Sequence, residues 1–191
     1  MSVVPAGAYS LTASAFHWMV AIPLIGSVGS VLKAQDAAKE DKGKWMWRHK
    51  SLGLLTGMVV APRFAYRLLS RSDYNVRNMI GNATWENAAS KVTHYGLYAF
   101  MTIMPASGIA MGYYGGKGLP FFYKTFEGAT PADDLEKKRN GQIAKQTYNI
   151  HKTLGTYGKY LVPLHAGAAF MHYFRGQSIF ARINPFRTPR A

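Results

Sequence analysis

Cysteine is absent from this 191-residue chain. That excludes a disulfide framework, thiolate zinc sites and cysteine-ligated iron–sulfur clusters. Acid is scarce as well: nine Asp and Glu stand against 23 Lys and Arg, a formal charge of +14. In a soluble protein such an excess points to nucleic acid. Two stretches argue against that reading, because they lack charge of either sign. Residues 1–32 and 92–116 contain no Lys, Arg, Asp or Glu. Each is long enough to cross a hydrocarbon core, which takes about 20 helical residues. No basic residue precedes Lys33, so the charged n-region of a secretory signal is also missing.

What is present reads as one all-α domain over residues 1–191, a transmembrane four-helix bundle. Its spans are expected at about 13–32, 49–69, 91–113 and 148–174. The second rests least on hydropathy, since only twelve uncharged residues separate Lys50 from Arg63. Residues 33–48, 70–90 and 114–147 read as polar loops. Within the last, Thr130-Pro131 resembles a helix start, with Thr as N-cap and Pro at N1, so a surface helix is expected to lead into span four. Four spans place both termini on one side of the membrane, side A, and the 33–48 and 114–147 segments on side B. The long polar segments explain a mean hydropathy of only −0.10. That value suits an imported mitochondrial protein, so the mitochondrial inner membrane is favoured slightly over a bacterial one.

The histidines carry the chemistry. His151 and His165 are fourteen residues apart, about four helical turns and roughly 21 Å of rise. Both imidazoles therefore point to nearly the same side of span four, one near each end. His49-Lys50-Ser51-Leu52-Gly53 is echoed by His151-Lys152-Thr153-Leu154-Gly155. Spans two and four both start on side B, so His49 and His151 share a depth there. Span one starts on side A, which matches His17 with His165. Neutral imidazole is a good iron ligand, and two couples suit two haems. Bis-histidine ligation leaves iron six-coordinate and favours electron transfer. His94 also lies toward side A, as a replacement for His17 or His165, or as a hydrogen-bond donor to a propionate or quinone. His172 reads as a solvated interfacial histidine.

Arg63, Arg67, Lys50 and, more weakly, Lys152 are candidates for haem propionates, which Arg binds bidentately. The alternative is a cation reaching for the interface. Gly53 and Gly57 follow His49 on its own face, as Gly155 and Gly158 follow His151. They suit either a porphyrin standing against the helix or close helix–helix approach. Lys159 lies midway between the span-four histidines, where charge is costly, and the spacing offers no account of it.

These residues resemble the bacterial cytochrome b-561 family of four-helix dihaem membrane cytochromes. The resemblance rests on four groups: His17-Trp18; His49 with Arg63 to Arg67; His94-Tyr95-Gly96-Leu97-Tyr98 with Pro105 to Gly108; and the His151 to His172 block. It covers about residues 10–186. It implies two haem b groups ligated by His17, His49, His151 and His165; the spacing and charge described above make Gly53, Gly155, Arg63, Arg67, Lys50 and His94 the candidates around them. It also implies quinone as partner, with ubiquinone the candidate, and includes superoxide:ubiquinone oxidoreductase activity. The expectation is thus an electron-transfer protein or quinone-linked oxidoreductase of the respiratory chain, with membrane lipid and no nucleic acid as partners. The basic loops and Lys159 depart from the family pattern. They support a second reading, a haem-carrying accessory or anchoring subunit of a larger complex, or a homodimer.

Overall fold

The structure, a computed structural model, describes residues 8–70 and 83–187. Long helices dominate it. Helix α1 spans Leu11–Asp36, α2 Lys39–Leu69, α3 Thr84–Tyr114, α4 Asp134–Gly158 and α5 Leu161–Phe174. A short turn of helix, α6, follows at Ile179–Arg182. Helices α1 and α2 form one antiparallel hairpin, and α3 with α4 and α5 forms the other.

The bundle buries hydroxyls and exposes large apolar side chains to a degree that a water-soluble one would not. Among its most deeply buried side chains are Ser14, Ser51 and Thr56, along with Val20. Met19, Ile22, Ile25, Met58, Phe64 and Leu68 point outward. Between membrane helices, hydroxyls and small residues allow close approach, and lipid solvates the large apolar side chains. On α1 the buried positions Ala13, Val20, Ser27 and Ala34 recur every seven residues, with Pro23 and Ser30 between them. That is the seam of a left-handed helix pair. Val20, Val60, Leu97 and Met101 join α1, α2 and α3 in a small apolar cluster, with Leu161 of α5 against it.

Several expected boundaries move. The segment 33–48 is no loop: α1 runs to Asp36, and α2 begins at Lys39. Lys, Glu and Asp are tolerated on a helix that has left the membrane, and Glu40 and Asp41 suit the positive end of α2. Charge marks where the bilayer stops, not where the helix does. Helix α3 likewise begins at Thr84, before the expected span; most of the expected 70–90 loop, residues 71–82, lies outside the described residues. The helix leading into span four is present, but its N-cap is Asp133 rather than Thr130. Asp133 Oδ1 accepts from Glu136 N at 2.6 Å, and Ala132 N donates to Glu136 Oε2 at 2.8 Å. An Asp followed three residues later by Glu satisfies two amides at once, which Thr130 cannot match.

Span four is not one continuous helix either. It breaks at Lys159–Tyr160, between α4 and α5. Pro163 explains the position. Proline has no N–H, and its ring clashes with the carbonyl four residues back, which is that of Lys159. Tyr160 N turns instead to Tyr157 O at 3.3 Å.

The 114–147 segment also holds an antiparallel hairpin, β1 (Leu119–Phe121) with β2 (Lys124–Phe126). Its turn residue Phe122 has φ 52°, a region a bulky side chain enters only under constraint. The constraint comes from α2. Phe122 N donates to Ser51 Oγ at 2.9 Å, and Trp47 Nε1 donates to Phe122 O at 2.6 Å. At the opposite end, Tyr9 N donates to Arg182 O at 3.1 Å, and Trp18 Nε1 to Ile183 O at 3.0 Å. The two ends of the described chain therefore meet on side A.

Candidate functional site

Two pairs of imidazoles face each other across the bundle. At side B the rings of His49 and His151 lie with centres 6.0 Å apart and planes at 70°. Two imidazoles bonded to one metal at about 2 Å each bring their ring centres to roughly 6 Å. At side A, His17 and His165 lie 6.2 Å apart with planes at 49°. Both couples expected from depth alone thus come together, at a spacing that fits a metal between them.

The side-B rings are fixed by one device used twice. His49 Nδ1 lies 3.0 Å from Ser27 O, and His151 Nδ1 lies 3.0 Å from Met104 O. A carbonyl only accepts, so Nδ1 carries the proton in each ring, and the Nε2 lone pair is left for a metal. A serine hydroxyl accompanies each contact: Ser27 Oγ is 3.0 Å from His49 Nδ1, and Ser107 Oγ is 3.1 Å from His151 Nδ1. Ser27 Oγ also donates to His49 O at 3.1 Å. Each histidine is thus oriented by the neighbouring helix of its own hairpin. Gly108 permits the second contact, since a Cβ there would lie 3.2 Å from His151 Cε1.

At side A a third ring enters. His94 lies 5.2 Å from His165, edge-on at 86°, and donates from Nδ1 to Ser90 O of its own helix at 2.6 Å. It stands edge-on against the couple, close to His165. Arg63 belongs to this end. Its guanidinium acts electrostatically on both His17 and His165, and lies 5.5 Å over the Tyr98 ring, as does that of Arg67. Arg63 Nη1 reaches only the Met101 sulfur at 3.9 Å, and its buried Nε has no hydrogen-bond partner. An orphaned cationic donor beside a histidine couple fits a carboxylate-bearing group there. Lys50 is adjacent to His49 and acts on it electrostatically.

The glycines divide. A Cβ on Gly57 would lie 3.0 Å from Pro105 Cβ, and one on Gly158 would overlap the Phe100 ring. Both are places where helices touch. Gly53 lies beneath Ser27 Oγ and Gly155 beneath the Met104 methyl, at 3.4 and 3.6 Å for an added Cβ. These two lie next to the residues that orient the side-B histidines. His172 is half-buried and hydrogen-bonds Gln177 through Nδ1. Outside the spans, Arg175 pairs with Glu86 and so ties the end of α5 to the start of α3. The Arg175 hydrogen bond, then the Ala83 N–H, hold the Glu86 carboxyl below its ordinary range.

Sequence reasoning missed Ser27, Ser107 and the Met104 carbonyl. A backbone acceptor has no residue signature, but the serines had a faint one. Ser27 occupies a seven-residue seam, and Ser107 precedes the glycine that makes room for His151.

A helical bundle with two imidazole couples, the side-B pair oriented by backbone carbonyls, suits a membrane cytochrome. A family model described as prokaryotic cytochrome b561 matches residues 8–185. The chain belongs to that family, whose members are b-type membrane cytochromes of electron transfer. It is also similar to cytochrome b561 homolog 1 of Escherichia coli K12, with 32% identity over 105 residues, 54% of this chain and 55% of that protein. The chain thus spans about half the length of the curated relative it matches. A prokaryotic family lends no support to the mitochondrial preference drawn from mean hydropathy.

Proposed function

We propose that this chain is a dihaem electron carrier exchanging electrons with quinone. The reading assigns one haem b to His49 and His151 and the other to His17 and His165. What supports it above all is the repeated geometry, two couples about 6 Å between ring centres. Haem bound there supplies one-electron iron chemistry. The residues do the rest. Ser27 O and Met104 O hold the Nδ1 protons and so fix which nitrogen faces the metal. Gly53, Gly108 and Gly155 leave space for that alignment. Arg63 and Arg67 would neutralise propionates at side A, and Lys50 would do so at side B. His94 positions His165, or hydrogen-bonds a group bound beside it. Two histidines holding each haem would leave no place for oxygen on the iron, which would favour electron transfer over oxygen binding. Ubiquinone is the proposed quinone, and superoxide oxidation feeding it is within the range of this chemistry.

A pyridine haemochrome assay on purified protein tests the stoichiometry. Two haems per chain are expected, with one lost in His49→Ala and a different one lost in His165→Ala. Far less than one haem in the native chain removes the proposal. A specific observation also favours assembly into a larger complex: within the expected span, α4 exposes a polar stripe from Lys152 to Tyr160.

A further inference from the structure

The outward faces of the helices differ sharply in chemistry. Those of α1 and α2 are lined by Met, Ile, Phe and Leu. That of α4, running into the break before α5, carries Lys152, Thr153, Thr156, Tyr157 and Tyr160, all exposed. Their spacing repeats every three or four residues, so they form one stripe. It lies opposite His151, Gly155 and Gly158, which face the bundle. Tyr157 is 72% exposed and Tyr160 57%. Thr156 satisfies its hydroxyl on Lys152 O at 2.9 Å. The hydroxyls of Tyr157 and Tyr160 have no hydrogen-bond partner among the described residues.

Lys159 belongs to the same surface. Its ammonium lies 5.1 Å over the exposed Tyr160 ring. It is about 12 Å along the helix from His151 and about 9 Å from His165, near mid-membrane. No Asp or Glu follows Glu136 in the sequence, and residues 1–32, 42–72 and 87–126 contain none. The chain therefore offers no carboxylate at that depth, and nor would a second copy of it. An unpaired cation and free phenol groups facing hydrocarbon are costly. Paired with a carboxylate, the same groups become a specific docking surface.

We propose that the Lys152–Tyr160 face is covered by a transmembrane helix of a different protein, one carrying an Asp or Glu near the middle of its span. That carboxylate would pair with Lys159 and accept hydrogen bonds from the tyrosines. The proposal goes beyond the dihaem reading and does not depend on it.

The test uses the full haem-loaded chain in its native membrane, with a benzophenone amino acid replacing Tyr160. The expected crosslink is to a membrane-spanning peptide of another protein that contains Asp or Glu. Blue-native electrophoresis should show a large assembly that falls at least tenfold in Lys159→Glu and less in Lys159→Gln, with haem per chain unchanged. If Lys159→Glu fails to load haem, the Lys159→Gln series and the crosslink decide. Crosslinks only to lipid, only to a second copy, or to an acid-free span overturn the proposal. So does an assembly that Lys159→Glu and Lys159→Gln leave intact. A low haem content in the native chain would count against the electron-carrier reading alone.

Discussion

The two helical hairpins solve the same problem at side B and diverge elsewhere. In the first, α1 supplies Ser27 to orient His49 on α2. In the second, α3 supplies Met104 and Ser107 to orient His151 on α4. The inward device is nearly duplicated, but the outward surfaces are not. The first hairpin is apolar outside and unbroken in both helices, and both are long and apolar enough to cross a membrane. The second is broken at Lys159–Tyr160, and its outside is mixed: α4 carries a polar stripe from Lys152 to Tyr160, while Ile103, Leu164, Phe170 and Phe174 expose apolar side chains. A metal couple constrains a few inward positions on each helix, and leaves the outward positions to whatever medium or partner lies there.

This pairing can be broken most completely at the ligands. His151→Ala should abolish haem binding at side B while leaving the His17–His165 couple loaded, so haem per chain falls from two to one. Loss of both, or of neither, would show that the hairpins are not separable in this way.

A subtler asymmetry concerns the glycines. A Cβ at Gly108 meets the His151 ring at 3.2 Å, whereas one at Gly53 meets the Ser27 hydroxyl at 3.4 Å, an ordinary contact. Disturbing the partners of a metal-ligating histidine typically costs about 10- to 100-fold in affinity. Gly108→Ala should therefore weaken side-B haem retention by roughly tenfold, and Gly53→Ala by much less, as read by haem transfer to an apo-globin acceptor. Equal effects would remove the argument for tight orientation in the second hairpin.

Pro163 separates the hairpins by backbone rather than by side chain. Pro163→Ala restores the missing amide and should let α4 run into α5 as one helix. The side-A spectrum is expected to shift while the side-B spectrum stays unchanged, because the break lies between His151 and His165. A shift confined to side B would place the hinge elsewhere.

The smallest effect is expected at the Glu86–Arg175 tie. The Glu86 carboxyl is depressed in the folded chain, so its contribution is fully present above its ordinary value of 4.5 and is lost as pH falls through the lower folded value. Thermal unfolding of the native chain should become easier over that acid range, and Glu86→Gln should flatten the dependence.

Much of this was legible in the residues. The couples followed from helical periodicity and the direction in which each span is entered. His94 reads toward side A from its place at the start of span three. Helix ends were not legible, because charged residues mark the edge of the bilayer and helices such as α2 continue past it. The break in span four is not legible from the apolar run, although Pro163 stands within it. An apolar run hides a missing amide, and Lys159, the residue left without an account, lies where that amide's partner would be. The carbonyls of Ser27 and Met104 were beyond reach, since every residue has one.

The most direct test is a low-temperature electron paramagnetic resonance spectrum of the oxidised, purified protein. The ring planes cross at 70° in one couple and 49° in the other, so two distinct low-spin ferric signals are expected, one vanishing in His49→Ala and the other in His17→Ala. A single low-spin signal, or high-spin iron with an open coordination position in the native chain, would contradict the account.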